Sequence, residues 1–288
     1  MKKLIYVYLA LAYLVCNYKP AVAQTTPLEK KIGSDENAKK RFLAQGEVFF
    51  QDEKLKEAIQ TLSLTDTDVV AYCRANPDIA LRSKFISAIF SEKEYNDEPA
   101  KEQFWAAYRF NVSKFVETVS IVREDEQKTF MDIGSGNGEK LYGALCLGFD
   151  KVFGLEYSKK SYKTSLKHLA NFSKETEITL GDALAIEPAY FQKADFLYMY
   201  SPIKDSKMMA SLFKRAMENM KEGAILLEVR CVYSDELRKQ MAYDFPTINS
   251  WLAIKKKGGK YYYKNIIDGA YSYDSADNRE WQELKSKK

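Results

Sequence analysis

"FMDIGSGNGEK", residues 130–140, sets the frame for the whole chain. A short apolar run ends on an acid, Asp132, and is followed at once by three glycines at alternate positions, Gly134, Gly136 and Gly138. Glycine lets a backbone bend sharply and approach a ligand with no Cβ in the way. One or two glycines would serve a plain strand-to-helix turn; three at this spacing point to a turn shaped around a bound molecule.

Reading outward toward the C-terminus, strands and helices alternate. "TFMDI" reads as a first strand, Glu139 to Leu147 as a helix closed by Gly148, and "KVFGLE" as a second strand. A helix then starts at Ser158, with Tyr162, Ser165, Leu166, Leu169 and Phe172 on one side. "EITLGD" and "DFLYMY" read as strands three and four, "DSKMMASLFKRAMENMKEG" as a helix between an Asp205 cap and a Gly223 stop, and "AILLEVRC" as strand five. In "SWLAIKKKGGKYYYKNII", two strand-like runs flank Gly258-Gly259, the signature of an antiparallel hairpin. The expected fold is α/β: a doubly wound, mainly parallel seven-stranded sheet ending in an antiparallel hairpin.

Toward the N-terminus, residues 34–122 read as helical. "NAKKRFLAQGEVFF", "TDTDVVAYCRA" and "PDIALRSKFISAIF" are short helical segments, and Trp105, Tyr108, Val112, Phe115, Val119 and Val122 form an apolar stripe at spacings of three and four. Such a stripe packs a core. The chain divides into residues 1–23, a helical segment 24–124 and an α/β domain 125–288.

The first 23 residues carry Lys2, Lys3 and Lys19 without an acid, an apolar stretch from Leu4 to Cys16, and Ala21-Val22-Ala23 before Gln24. This is the layout of a secretory signal, so the expected location is exported or periplasmic, the alternatives being cytoplasmic or anchored through residues 1–23. A cleaved leader would leave no stable membrane span. Beyond it, 41 basic residues balance 40 acidic ones, which argues against a polyanionic partner such as nucleic acid. Cys73, Cys146 and Cys231 lie in apolar stretches with no CxxC pair, so they read as buried free thiols rather than a disulfide framework or a zinc site. The one histidine, His168, reads as a solvated residue on a lysine-rich helix face.

Ligands of an open parallel sheet sit beyond the carboxyl ends of its strands. A dinucleotide turn wants GxGxxG facing pyrophosphate; here the spacing is GxGxG, and Glu139 stands where the third glycine belongs. A carboxylate there repels pyrophosphate and tolerates a cationic ligand. At this point "DIGSGNG", Asp132 to Gly138, resembles motif I of the class I S-adenosylmethionine-dependent methyltransferases, and the resemblance runs over residues 125–270.

The resemblance implies S-adenosyl-L-methionine as cofactor. Asp132 would help hold the methionyl ammonium, with Gly134, Ser135, Gly136 and Gly138 around it. Glu156, closing "GLE", matches the acid that takes the ribose hydroxyls, and "GDA", Gly181 to Ala183, matches the adenine motif, with Asp182 accepting from the exocyclic amine. Both acids also have local uses, Glu156 as a helix cap and Asp182 as a turn former. In "YMYSPI", Tyr198, Tyr200, Ser201 and Pro202 stand where that family places acceptor-facing residues; for one of the two tyrosines strand packing is the plainer role. "YSPI" departs from the Asn/Asp-Pro-Pro-aromatic motif of amino-group methylases at Ser201 and Ile203, which weakens a nucleobase amine as acceptor. The expected activity is methyl transfer to a protein side chain or small molecule, with no metal. The alternatives are a noncatalytic nucleoside-binding or partner-docking protein on the same fold, and an NAD-dependent oxidoreductase.

Overall fold

The sheet is built where the sequence alternates. In a computed structural model, β1 (Thr129–Ile133), β2 (Lys151–Glu156), β3 (Thr176–Leu180), β4 (Phe196–Met199) and β5 (Ile225–Val229) are parallel, and β6 (Trp251–Lys257), β7 (Lys260–Ile266) and β8 (Gln282–Glu283) follow antiparallel. The strand order is β3-β2-β1-β4-β5-β6-β7-β8. The doubly wound α/β architecture and its terminal hairpin are therefore as expected. Among the described residues the strand count is eight rather than seven, because two residues near the C-terminus pair with Tyr262 and Tyr263, too short a segment for any periodicity to reveal.

The structure describes residues 65–91, 93, 111–229, 234–245, 251–266 and 280–287, which from Asp66 onward belong to one compact unit. The leader, the helix expected at 37–50, Trp105, Tyr108, Cys16 and Cys231 lie outside them. No helix among the described residues is long and apolar enough to cross a membrane.

Strand alternation separates two cores. Met131, Ile133, Phe153, Leu155, Leu197 and Met199 face a layer containing α6 (Ser206–Asn219) and α7 (Ser234–Gln240). On the other side Phe130 stacks on Phe196, with ring centroids 5.9 Å apart, and meets Phe149 at 5.2 Å. Helices α1 (Asp66–Ala75), α2 (Ile79–Ser91), α3 (Val112–Val122) and α4 (Glu139–Cys146) belong to this second side. The α3 stripe is buried at Val112, Phe115, Val119 and Val122, and Asn111 caps the helix by accepting from Lys114 N. The Phe115 ring meets Tyr198 edge-on at 5.3 Å and lies so close to α4 that a Cβ at Gly143 would come within 2.8 Å of it.

The far end of α4 is held by two arginines. Arg74 Nε donates to Leu145 O at 3.0 Å and Arg74 Nη2 to Phe149 O at 2.7 Å, while Arg123 Nη1 donates to Leu147 O at 2.6 Å. Leu145 and Leu147 belong to the last turn and cap of α4, where the positive charge suits the negative end of the helix dipole.

Helix α5 (Lys159–His168) starts after the Ser158 cap as expected, and of its expected face Ser165, Leu169 and Phe172 are buried while Leu166 is not. Ser161, Ser165 and His168 point inward, and Leu166 is 44% exposed. Small serines let the helix lie close to the glycine turn; a Cβ at Gly138 would come within 3.1 Å of Ser165 Cβ. His168, expected on the surface, is buried on this face as well.

Candidate functional site

The sheet changes direction between β1 and β4, and the loops leaving those two strands frame the crevice in which such folds bind ligands. The first loop is the glycine turn. Gly134 N and Ser135 N both donate to Leu155 O, at 2.8 and 3.1 Å, so the turn is pinned to the end of β2. Gly134 has φ 86° and Gly136 has φ 53°, both in the left-handed region. A Cβ at Gly134 would meet Pro202 Cβ at 2.9 Å, so this glycine lets the second loop cross the first. A Cβ at Gly136 would meet nothing within 4 Å, so its open side faces the space a ligand would take.

Two carboxylates flank that space. Glu156, 8% exposed, accepts from Gly136 N through Oε2 and from Ser158 N through Oε1, each at 2.7 Å. It therefore ties the turn to the start of α5, and each oxygen keeps further acceptor capacity. Asp132, 1% exposed, has its Oδ2 buried with no hydrogen-bond partner among the described residues. Burial pushes its carboxyl up to about 7, nearby Glu156 adds to the rise, and Lys140 opposes it. A buried acid in that state is suited to a cationic group that would restore its charge.

The second loop is "YSPI". Ser201 has φ 36°, uncommon for a residue with a side chain. Buried Glu228 at the end of β5 holds it: Glu228 Oε1 accepts from Ser201 N at 3.2 Å and from Ser201 Oγ at 2.8 Å. The hydroxyl is thus turned toward β5, while Pro202 lies against Gly134 and half-buried Tyr200 precedes the corner.

The structure brings Asp132, Gly134, Gly136, Glu156 and Pro202 together around the crevice. Other expected residues have different surroundings. Tyr198 is core packing, 1% exposed among Phe115 and Phe130, and burial raises its phenol well above the ordinary value, with Asp132 and Glu228 adding to the effect. Ser135 Oγ lies beneath the turn, where a Cβ on Gly154 would come within 2.9 Å of it. Gly138 serves helix packing through Ser165 and Leu169. Asp182 is exposed and accepts from Leu184 N at 2.9 Å in a side-chain turn, with Ala183 packed on the core beside α6 and α7.

Three neighbours of the site went unread in the sequence. Glu228 is an acid inside the apolar "AILLEV", a signal that was available there. Asn137, 5% exposed, buries both polar atoms of its amide without a partner among the described residues. His168 Nδ1 lies 3.0 Å from Asn137 O, beneath the turn, and its ring meets Phe90 edge-on. Among the described residues no cluster of His, Cys, Asp and Glu could hold a metal ion.

The family described as "Methyltransferase domain" matches residues 124–282, more than half of the chain, and the chain belongs to that family. Its cofactor is S-adenosylmethionine. Solved structures similar to this chain include a putative RNA methyltransferase from Pyrococcus horikoshii, 18% identical with a TM-score of 0.39, covering 52% of this chain and 73% of that one. A protein-L-isoaspartate O-methyltransferase is 15% identical with a TM-score of 0.46, over 75% of this chain and 63% of that one. A glycopeptide N-methyltransferase complexed with S-adenosyl-L-homocysteine is 18% identical with a TM-score of 0.36, over 42% and 52%. The chain thus spans less than two thirds of the latter two. No curated protein matches it.

The residues present fit the cofactor. Asp132 Oδ2 offers a buried acceptor for an ammonium, Gly136 offers open space beside it, and Glu156 keeps acceptor capacity for a diol.

Proposed function

We propose that this protein transfers the methyl group of S-adenosylmethionine to a nucleophile on a protein side chain or a small molecule, by in-line displacement. The observation that carries the reading is the buried Asp132 Oδ2, without a hydrogen-bond partner among the described residues, beside a glycine turn with open space at Gly136. When bound, the cofactor supplies a methyl group already activated by its sulfonium. The chain's own residues then bind and orient. Asp132 holds the ammonium, Glu156 takes the ribose hydroxyls while keeping its bonds to Gly136 N and Ser158 N, and Asp182 stands at the mouth for the adenine amine.

Tyr200 and Pro202 line the approach of the acceptor, and Ser201 acts through its bonds to Glu228, which fix the corner's shape. Alignment of nucleophile, methyl carbon and sulfur supplies roughly 7–11 kcal/mol of the barrier reduction. A lysine acceptor, with an ordinary pKa of about 10.4, would need a dry approach that favours its neutral amine. Near-neutral charge beyond residue 23 supports an acceptor other than nucleic acid.

The test is calorimetric titration with S-adenosylmethionine, S-adenosylhomocysteine and NAD, with Glu156→Ala as control. Binding of the first two, lost in the variant, supports the assignment. Binding of NAD alone overturns it. Cofactor binding with no methyl transfer to any acceptor in a protein and metabolite extract would instead favour a noncatalytic binding protein.

A further inference from the structure

We propose that His168 is a positioning residue for the glycine turn: its Nδ1–H holds Asn137 O and so fixes the backbone against which the cofactor binds, an inference that rests on the S-adenosylmethionine reading above. His168 is the last residue of α5 and lies 7% exposed beneath the turn, with Nδ1 3.0 Å from Asn137 O. A carbonyl oxygen only accepts, so Nδ1 must carry the hydrogen, and the bond names the tautomer. The ring also meets Phe90 of α2 edge-on, with centroids 5.7 Å apart, which restricts its rotation. Helix α5 can bring the imidazole to the turn because Ser165 and Leu169 lie directly against Gly138, where a Cβ would come within 3.1 Å of Ser165 Cβ and 3.0 Å of Leu169 Cδ1.

The bond matters because of where it falls on the turn. Glu156 Oε2 accepts from Gly136 N at 2.7 Å and His168 Nδ1 donates to Asn137 O, so two side chains clamp the two ends of the Gly136–Asn137 segment. Between these points Gly136, at φ 53°, turns its open side to the space a ligand would take. Glu156 closes β2 just ahead of the Ser158 cap and His168 closes α5, so the clamps come from the two ends of one short stretch of chain. Glycine has many other conformations available once a clamp is removed. Loss of the imidazole takes a donor from a buried carbonyl, and the turn relaxes toward shapes that supply another. The cofactor must then restore the binding shape, which costs affinity.

The full chain carries a single histidine, so the untagged protein labelled with nitrogen-15 gives one set of long-range proton–nitrogen correlations from an imidazole. The expected result is the tautomer protonated at Nδ1, with an Nδ1 signal that shifts when S-adenosylhomocysteine is added. In calorimetry His168→Phe, which keeps a ring beside Phe90 and loses the donor, should bind S-adenosylhomocysteine about tenfold more weakly. His168→Asn, whose amide places a donor near the Nδ1 position, should bind within about threefold of the unaltered protein. Protonation at Nε2 alone, an Nδ1 signal unmoved at saturating ligand, or equal losses in the two variants, the mark of a packing role, overturns the proposal. If His168→Phe does not fold, the tautomer, the ligand shift and the affinity of His168→Asn decide. Failure of the unaltered protein to bind S-adenosylhomocysteine overturns the methyltransferase reading and this inference with it, whereas binding that His168→Phe leaves unchanged overturns this inference alone.

Discussion

Asp132 makes ligand affinity a function of pH, with a calculable size. Free Asp132 carries its proton up to about pH 7, well above the ordinary 3.8, mainly because it is buried. The unfolded chain gives up that proton near 3.8, so between about pH 4 and 7 the folded state binds more protons. Stability contributed at acid pH is therefore lost as pH rises, by an upper limit of roughly 4 kcal/mol over this window. A ligand ammonium against Asp132 Oδ2 reverses the preference, because it favours the carboxylate.

Binding below pH 7 must expel a proton, so the dissociation constant of S-adenosylhomocysteine should rise toward tenfold per pH unit. Between pH 7.5 and 5.5 this amounts to about 25-fold weaker binding for one proton released at a pKa near 7. Calorimetry in two buffers of different ionisation enthalpy counts that proton directly. Asp132→Asn should bind weakly and nearly independently of pH. Affinity constant across this range in the unaltered protein, or an identical pH dependence in Asp132→Asn, would refute the ammonium role.

Gly136→Val should abolish cofactor binding while costing about 1–2 kcal/mol of stability from the left-handed backbone alone, as ligand titration and chemical denaturation would show. Phe115→Ala removes the ring between Tyr198 and Gly143 and should cost about 3–5 kcal/mol in urea denaturation, leaving ligand contacts in place. Tyr200→Ala should slow transfer more than it weakens S-adenosylhomocysteine binding; equal losses would remove Tyr200 from the acceptor approach.

What could be read in the sequence is what local patterns encode. The glycine turn, the Asp205 and Ser158 caps and the Gly258-Gly259 hairpin depend on residues next to one another, and the structure has each of them. The cofactor turn was legible for the same reason, since Asp132 and the glycines form one short segment. What escaped depends on distant partners. The Ser201–Glu228 bond joins residues 27 apart, one in the loop after β4 and one on β5, and nothing in "YSPI" names its acceptor. On α5 the expected burial of Ser165, Leu169 and Phe172 holds and that of Leu166 does not, since close approach to Gly138 favours small side chains there. His168 is buried against Asn137 O, a partner 31 residues away that its own lysine-rich segment does not reveal.

The arginines at the far end of α4 bear on how variants of this protein would be interpreted. The eight residues of α4, a span of about 12 Å, run from the Gly138 turn to the end where Arg74 and Arg123 grip the backbone. A short rod fixed at one end transmits a small tilt to the other. Loss of Arg74 would therefore register in a binding screen as a cofactor defect, although the guanidinium grips the opposite end of the helix. An inventory of binding residues drawn from such a screen would include anchors as well as contacts, and only a ligand-bound structure of each variant would sort them.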